Sequence, residues 1–120
     1  MADATPGDLL IKLLQAWNEA DPGARETILD EALGASFTYC DPNAPAPFEG
    51  RDGMAQYLTI FRDNLPDAML LPTGSPMVSH DTAMSHARLD RNGEPFARLI
   101  FVGTADADGL TRLTGFVESE

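Results

Sequence analysis

Leu10, Leu13, Leu14 and Trp17 recur at helical spacing, which predicts an amphipathic helix over roughly residues 7 to 20, ending near Asp21-Pro22-Gly23. Ile28, Leu29, Ala32 and Leu33 give a second, shorter stripe that Gly34 should stop. The clearest stripe is Met54, Tyr57, Leu58, Phe61 and Leu65, closed by Pro66. Between the second and third stripes the period changes from helical to alternating. "SFTYCD" predicts a strand with Phe37, Tyr39 and Asp41 on one face and Thr38 and Cys40 on the other. The following "PNAPAP" cannot join a sheet ladder and reads as a loop.

Beyond Pro66 the pattern is strand-like throughout. Residues 68–79 are broken by Pro72, Gly74 and Pro76, which predicts a bent or edge strand. Residues 82–90 and 95–104 flank Asn92-Gly93, the strongest hairpin signal in the chain. A second turn, "DADG", leads into a last strand over 110–117. Helices first and an antiparallel meander afterwards predict an α+β fold, its three helices packed on one face of a curved antiparallel sheet. At 120 residues with no repeat or linker, the chain reads as one domain over 1–120.

Composition narrows the function classes. Eight Lys and Arg against nineteen Asp and Glu leave a net charge of −11, which argues against nucleic acid or an anionic membrane as partner. No apolar run is long enough for a membrane helix, and residues 1–8 lack the basic and apolar regions of a secretory signal. The single cysteine, Cys40, fits a reducing compartment, so a cytoplasmic location is expected.

In order and spacing, "AWNEAD", "YCDP", "GRDGMAQYLTIFR", "NGEP" and "DADGLTRLTGF" resemble the nuclear-transport-factor-2-like superfamily, nearer its SnoaL-like and ketosteroid-isomerase-like branches. The resemblance covers nearly the whole chain. It implies a cone of three helices and a strongly curved sheet enclosing a pocket, commonly in a homodimer. It also implies a role for Asp41, which stands where the isomerase branch carries its proton-shuttling aspartate before a proline. Trp17 stands where that branch has a tyrosine that binds the enolate oxygen. Phe101, or Val102 in the adjacent register, stands where a second acid would be.

Two readings of Asp41 follow. In one, its carboxylate sits at the mouth of an apolar pocket walled by Trp17, Tyr39 and Phe101, with few groups to stabilise its charge, and acts as a base. In the other, Asp41-Pro42 opens the loop and the carboxylate caps a backbone N–H. His86 shares a strand face with Met84 and Arg88, opposite Ser85, Ala87 and Leu89. If the latter set packs outward, His86 looks into the interior as a general acid or hydrogen-bond donor, with Met84 and Arg88 beside it. The plainer alternative is a histidine bonded to backbone or water. Met54, Tyr57 and Met84 complete the expected ligand-binding set, although methionines are as readily plain packing. With no close His pair and no CxxC, neither metal nor cofactor is expected.

The expected function is thus cofactor-free proton transfer, an isomerase or cyclase step, on a small hydrophobic carbonyl compound. The alternative is a pocket or dimerisation module without catalysis. Ile100 and Val102, out of phase with Leu99 and Phe101, should form the outer sheet face through which two copies pair.

Overall fold

The structure is a computed structural model that describes residues 5–44 and 46–118. Residues 1–4, which belong to the segment lacking secretory-signal regions, and Pro45 of the proline-rich loop lie outside the described residues. Thr5 opens α1 (Pro6–Gln15) with a reciprocal cap. Its hydroxyl accepts from the Asp8 amide at 3.1 Å, while the Asp8 carboxylate accepts from the Thr5 amide at 3.3 Å. The helix buries Leu9, Leu10, Leu13 and Leu14. It stops earlier than its apolar stripe predicts, and Trp17 lies in the turn that follows.

Asp21-Pro22, expected to close the first helix, instead opens the second. Asp21 accepts from the Ala24 amide at 2.9 Å and Pro22 takes the first helical position of α2 (Pro22–Ala32). An aspartate followed by proline is as good a helix start as a stop, because proline has no N–H to leave unpaired there. The chain passes from α2 directly into β1 (Leu33–Cys40), so Gly34, expected as the helix stop, is already in the strand.

A short β2 (Phe48–Glu49) precedes α3 (Gly50–Asn64), the helix predicted by the third stripe. The interrupted region forms two pieces, β3 (Ala68–Pro72) and β4 (Met77–Ser79). Then come β5 (Thr82–Arg91), β6 (Glu94–Asp106) and β7 (Gly109–Val117). Asn92 and Gly93 both take positive φ, at 54° and 81°, as a tight two-residue hairpin requires. At the second turn Gly109 has φ 136°, and a Cβ there would stand 2.8 Å from the Gly34 amide nitrogen. Only glycine lets that turn press on the α2–β1 junction.

The strands form a sheet of order β2-β1-β7-β6-β5-β3, with β4 also paired to β5. It is antiparallel except at β1, which runs parallel to β7. The sheet is therefore mixed, a correction to the all-antiparallel expectation. β1 follows the first two helices and lies beside the last strand, so it is not part of the meander. Register shifts between Leu89 and Asp90 and between Thr104 and Ala105 mark bulges, which bend strands and increase twist. The sheet so curved is covered on its concave face by α1, packed mainly on β5, and by α3, packed on β1 and β2. Leu10, Leu13, Trp17, Phe37, Tyr39, Met54, Leu58 and Phe101 form one continuous core between them. Among the described residues, no helix is long and apolar enough to cross a membrane.

Candidate functional site

β1 and α3 meet at the site. The alternation of β1 sends Phe37 and Tyr39 inward, and Asp41 follows where the strand gives way to the loop. α3 brings Tyr57 to the same place, one turn before Phe61. Both phenols converge on one carboxylate oxygen: the hydroxyl of Tyr39 donates to Asp41 Oδ2 at 2.6 Å and that of Tyr57 at 2.9 Å. The other oxygen, Oδ1, accepts from the backbone amides of Asn43 and Ala44, each at 2.8 Å. The two readings of Asp41 therefore coexist in one side chain. Oδ1 caps the turn, and Oδ2 belongs to the interior. The expectation that few groups would stabilise its charge is corrected, since four donors surround it.

The two phenol oxygens lie 3.3 Å apart. Each hydroxyl has one proton, and with both protons directed at Asp41 none is left for a bond between them. Burial, reinforced by the adjacent carboxylate charge, pushes both phenols above their ordinary 10.0. For Tyr57, the neighbouring Trp17 indole partly opposes that rise. Both tyrosines stay neutral hydrogen-bond donors through the physiological range.

A cavity of about 730 Å³ opens beside this cluster. Trp17, Tyr39 and Phe101 close its floor, being only 2, 1 and 2% exposed. Trp17 packs edge-on against Tyr39, Tyr57 and Phe101, with centroids 5.8, 5.9 and 5.5 Å away. Half-buried Asp41, Phe48, Tyr57, Phe61 and Leu99 form the walls. Ile60, Phe96, Phe116 and Val117 stand exposed around the mouth. Every Phe, Tyr and Trp residue of the protein except Phe37 borders the cavity. Asp41 is the one carboxylate among the described lining residues, which include no Lys, Arg or His.

The floor is tied down by backbone-directed bonds. Arg62 donates to the Trp17 carbonyl at 3.1 Å and to the Ala68 carbonyl at 2.8 Å. Asn18 pairs its amide with both the N–H and the C=O of Leu70, each at 2.7 Å, in the manner of a neighbouring strand. Gly115 in β7 is equally specific. A Cβ there would meet Phe101 at 3.1 Å, the Tyr39 hydroxyl at 3.3 Å and Asp41 Cβ at 3.4 Å. Its missing side chain is the space into which Tyr39 reaches Asp41. Sequence reasoning passed over Gly115, although a glycine inside a strand pattern signals close approach of other groups.

Of the predicted site residues, Trp17, Tyr39, Asp41, Tyr57 and Phe101 come together around the cavity. The others do not. β5 faces the opposite way from the orientation that would serve His86. Ala83, Ser85, Ala87 and Leu89 are the buried row, and His86 is exposed on the outer face. The physical reason is α1, which packs on the inner side of β5 over the small side chains of Ala83, Ser85 and Ala87. Arg88, on the same outer face, makes a two-pronged bond to Asp90 at 2.6 and 3.0 Å. Met84 lies against β4, and Met54 is fully buried on the inner face of α3 without lining the cavity. Among the described residues, no three His, Cys, Asp or Glu gather closely enough to hold a metal ion.

No family model matches the chain, and no curated protein matches it by sequence. Solved structures do match. A proposed isomerase of the SnoaL-like family from Agrobacterium tumefaciens is 23% identical at TM-score 0.85, over 92% of this chain and 95% of that one. A proposed ketosteroid isomerase from Kribbella flavida is 17% identical at TM-score 0.72, over 96% of this chain and 78% of that one. A protein of ketosteroid-isomerase-like fold from Catenulispora acidiphila, solved with trimethylamine, is 18% identical at TM-score 0.73, over 93% of this chain and 85% of that one. At these identities the likeness establishes the fold, that of the SnoaL-like and ketosteroid-isomerase-like proteins of the nuclear-transport-factor-2-like superfamily.

Proposed function

We propose that the cavity takes a small, hydrophobic carbonyl compound and that Asp41 moves a proton on it, in an isomerase or cyclase step that needs no cofactor. One observation carries this reading: the carboxylate lies in the wall of an apolar cavity with two neutral phenols on its inward oxygen. Asp41 Oδ2 takes a proton from the carbon next to the carbonyl, and the C–H electron pair moves onto the carbonyl oxygen as an enolate. The negative charge thereby leaves Asp41 and appears on the substrate. A phenol that favoured the carboxylate now favours the enolate oxygen, so Tyr57 or Tyr39 turns to it and stabilises it. Return of the proton to a different carbon gives isomerisation, and attack of the enolate carbon on a second carbonyl carbon gives ring closure. Tyr57 fills the donor role that sequence reasoning assigned to His86.

The test does not need the natural substrate. Exchange of the acidic α-protons of β-tetralone in deuterated buffer, followed by proton NMR, should be faster with the protein than without it. Asp41→Asn should return the rate to that of buffer. An unchanged rate with the native protein removes the catalytic reading.

A second reading, binding without turnover, is favoured by the four donors on Asp41, because they occupy the lone-pair sites at which the carboxylate would have to take a proton from a substrate. The Catenulispora acidiphila protein is in complex with trimethylamine, which supports a methylated amine as a ligand for a protein of this fold. The exposed outer-face residues Phe116 and His86, with half-buried Ile100 and Val102 between strands, support a homodimer through that face. Sedimentation at micromolar concentration should give a dimer, and Ile100→Glu should give a monomer.

A further inference from the structure

Asp41 carries a full negative charge and has no acceptor site to spare. An ionised carboxylate offers about four lone-pair sites. Here the two amides at 2.8 Å and the two phenols at 2.6 and 2.9 Å use all four. Hydrogen bonds distribute the charge without cancelling it, and no basic side chain among the described lining residues opposes it. The walls add to the same field. Phe48, Tyr57 and Phe61 are half-buried along the cavity, and an aromatic face attracts a cation. The net charge of −11 raises the local concentration of cations further.

Which cation can use this site depends on its N–H groups. A primary ammonium brings three donors, each of which must find an acceptor once water is left behind. The inner cavity has little to offer beyond the lone pairs of two phenols that are already donating to Asp41, and the amides of Asn43 and Asn64 stand at the mouth. A quaternary ammonium carries the same charge on methyl groups and has no N–H to leave unpaired. It needs only a negative charge nearby and polarisable faces around it.

We infer that the cavity selects organic cations that lack N–H groups, quaternary over primary ammonium, with Asp41 as counter-charge and Phe48, Tyr57 and Phe61 as walls. The inference rests on the binding reading of the cavity and deepens it by naming the class of ligand. Such a cation occupies the place of a carbonyl substrate, so it also inhibits any α-proton exchange competitively.

Calorimetric titration with two matched pairs of probes tests it. Benzyltrimethylammonium is compared with neopentylbenzene, its uncharged carbon isostere, and benzylammonium with ethylbenzene. The quaternary ion should bind at least about tenfold more tightly than its isostere. The primary ion should bind no better than its own. Asp41→Asn should reduce the tenfold advantage to about the few-fold that aromatic faces alone provide. Equal advantage for both ions, or none for either, overturns the selectivity while leaving an apolar binding cavity in place. If none of the four probes binds, the binding reading and the inference fall together. Retention of the full advantage in Asp41→Asn removes the carboxylate from the argument. The β-tetralone exchange is a separate readout and decides the catalytic reading without reference to these affinities.

Discussion

β1 and β5 carry the same kind of sequence and use it in opposite ways. Each alternates ionisable or polar side chains with apolar ones, and each could present its polar row to the interior. β1 turns Tyr39 inward, with Asp41 after it, beside an open cavity. β5 turns Ala83, Ser85 and Ala87 inward under α1 and leaves His86 and Arg88 outside. The difference lies in what covers the strand. A helix in direct contact requires small side chains beneath it, whereas a cavity is built by large ones that stop short of the opposite wall. A polar residue on a strand is therefore a site candidate only after the covering layer is known.

The largest effect that should separate the two strands is on turnover. Asp41→Asn should reduce β-tetralone exchange at least about a hundredfold, within the range that a lost general base produces. His86→Gln should leave it unchanged. Loss of exchange in His86→Gln with retention in Asp41→Asn would reverse the assignment of the two strands. Asp41→Asn keeps an oxygen for the Asn43 and Ala44 amides, so its stability should fall by only about 1 kcal/mol. A much larger loss in denaturant titration would make the turn cap the main task of this side chain.

The packing half of the comparison is next in size. Ser85→Leu places a large side chain where α1 presses on β5 and should destabilise by about 1–3 kcal/mol. His86→Leu, one residue along on the exposed face, should change stability by about 0.5 kcal/mol or less. Equal effects in thermal unfolding would mean that α1 does not select the small row. Gly115→Ala tests the cavity side in the same way. Its methyl group would crowd Phe101, the Tyr39 hydroxyl and Asp41 at 3.1, 3.3 and 3.4 Å, where real contacts are seldom so close. A cost of about 1 kcal/mol and a many-fold loss of exchange are expected, because the phenol must shift away from the carboxylate.

These contrasts define how much was legible in advance. The α3 stripe was plain, because a helix facing a core repeats its apolar residues at one period over many turns. The inward set of β1 was plain for a similar reason, since Phe37 and Tyr39 have nowhere else to go. The sense of β5 was not, because alternation defines two faces without saying which is covered. The parallel pairing of β1 with β7 was equally hidden, as it joins segments from opposite ends of the chain. Tyr57 on Asp41 Oδ2 joins a helix to a strand end across sixteen residues, a contact that no local period encodes. Gly115 was visible as a strand glycine, but its purpose depends on Tyr39, Phe101 and Asp41 at once.

The smallest expected effect is on the pH range of stability, and the two regions should divide it. In the cluster on β1, Tyr39 and Tyr57 have folded-state values above their ordinary 10.0, chiefly through burial. The folded state thus prefers them protonated. Their contribution is complete below about pH 10 and is lost as pH rises above it, because the unfolded chain releases these protons first. On the β5 side, the Arg91 guanidinium, which bonds Asp67 at 3.0 Å, holds that carboxyl below its ordinary 3.8. There the folded state prefers the ionised form, so its contribution is complete above about pH 4 and fades as pH falls below it. Since both partners meet solvent, the acid-side change should be the lesser and should shrink further in salt. Tyr57→Phe should flatten the alkaline fall in thermal midpoint and leave the acid limb as it was, while Asp67→Asn should do the reverse. If Tyr57→Phe leaves the alkaline limb intact, Tyr57 is not the group that titrates there, and the buried pairing of phenols with Asp41 loses its support.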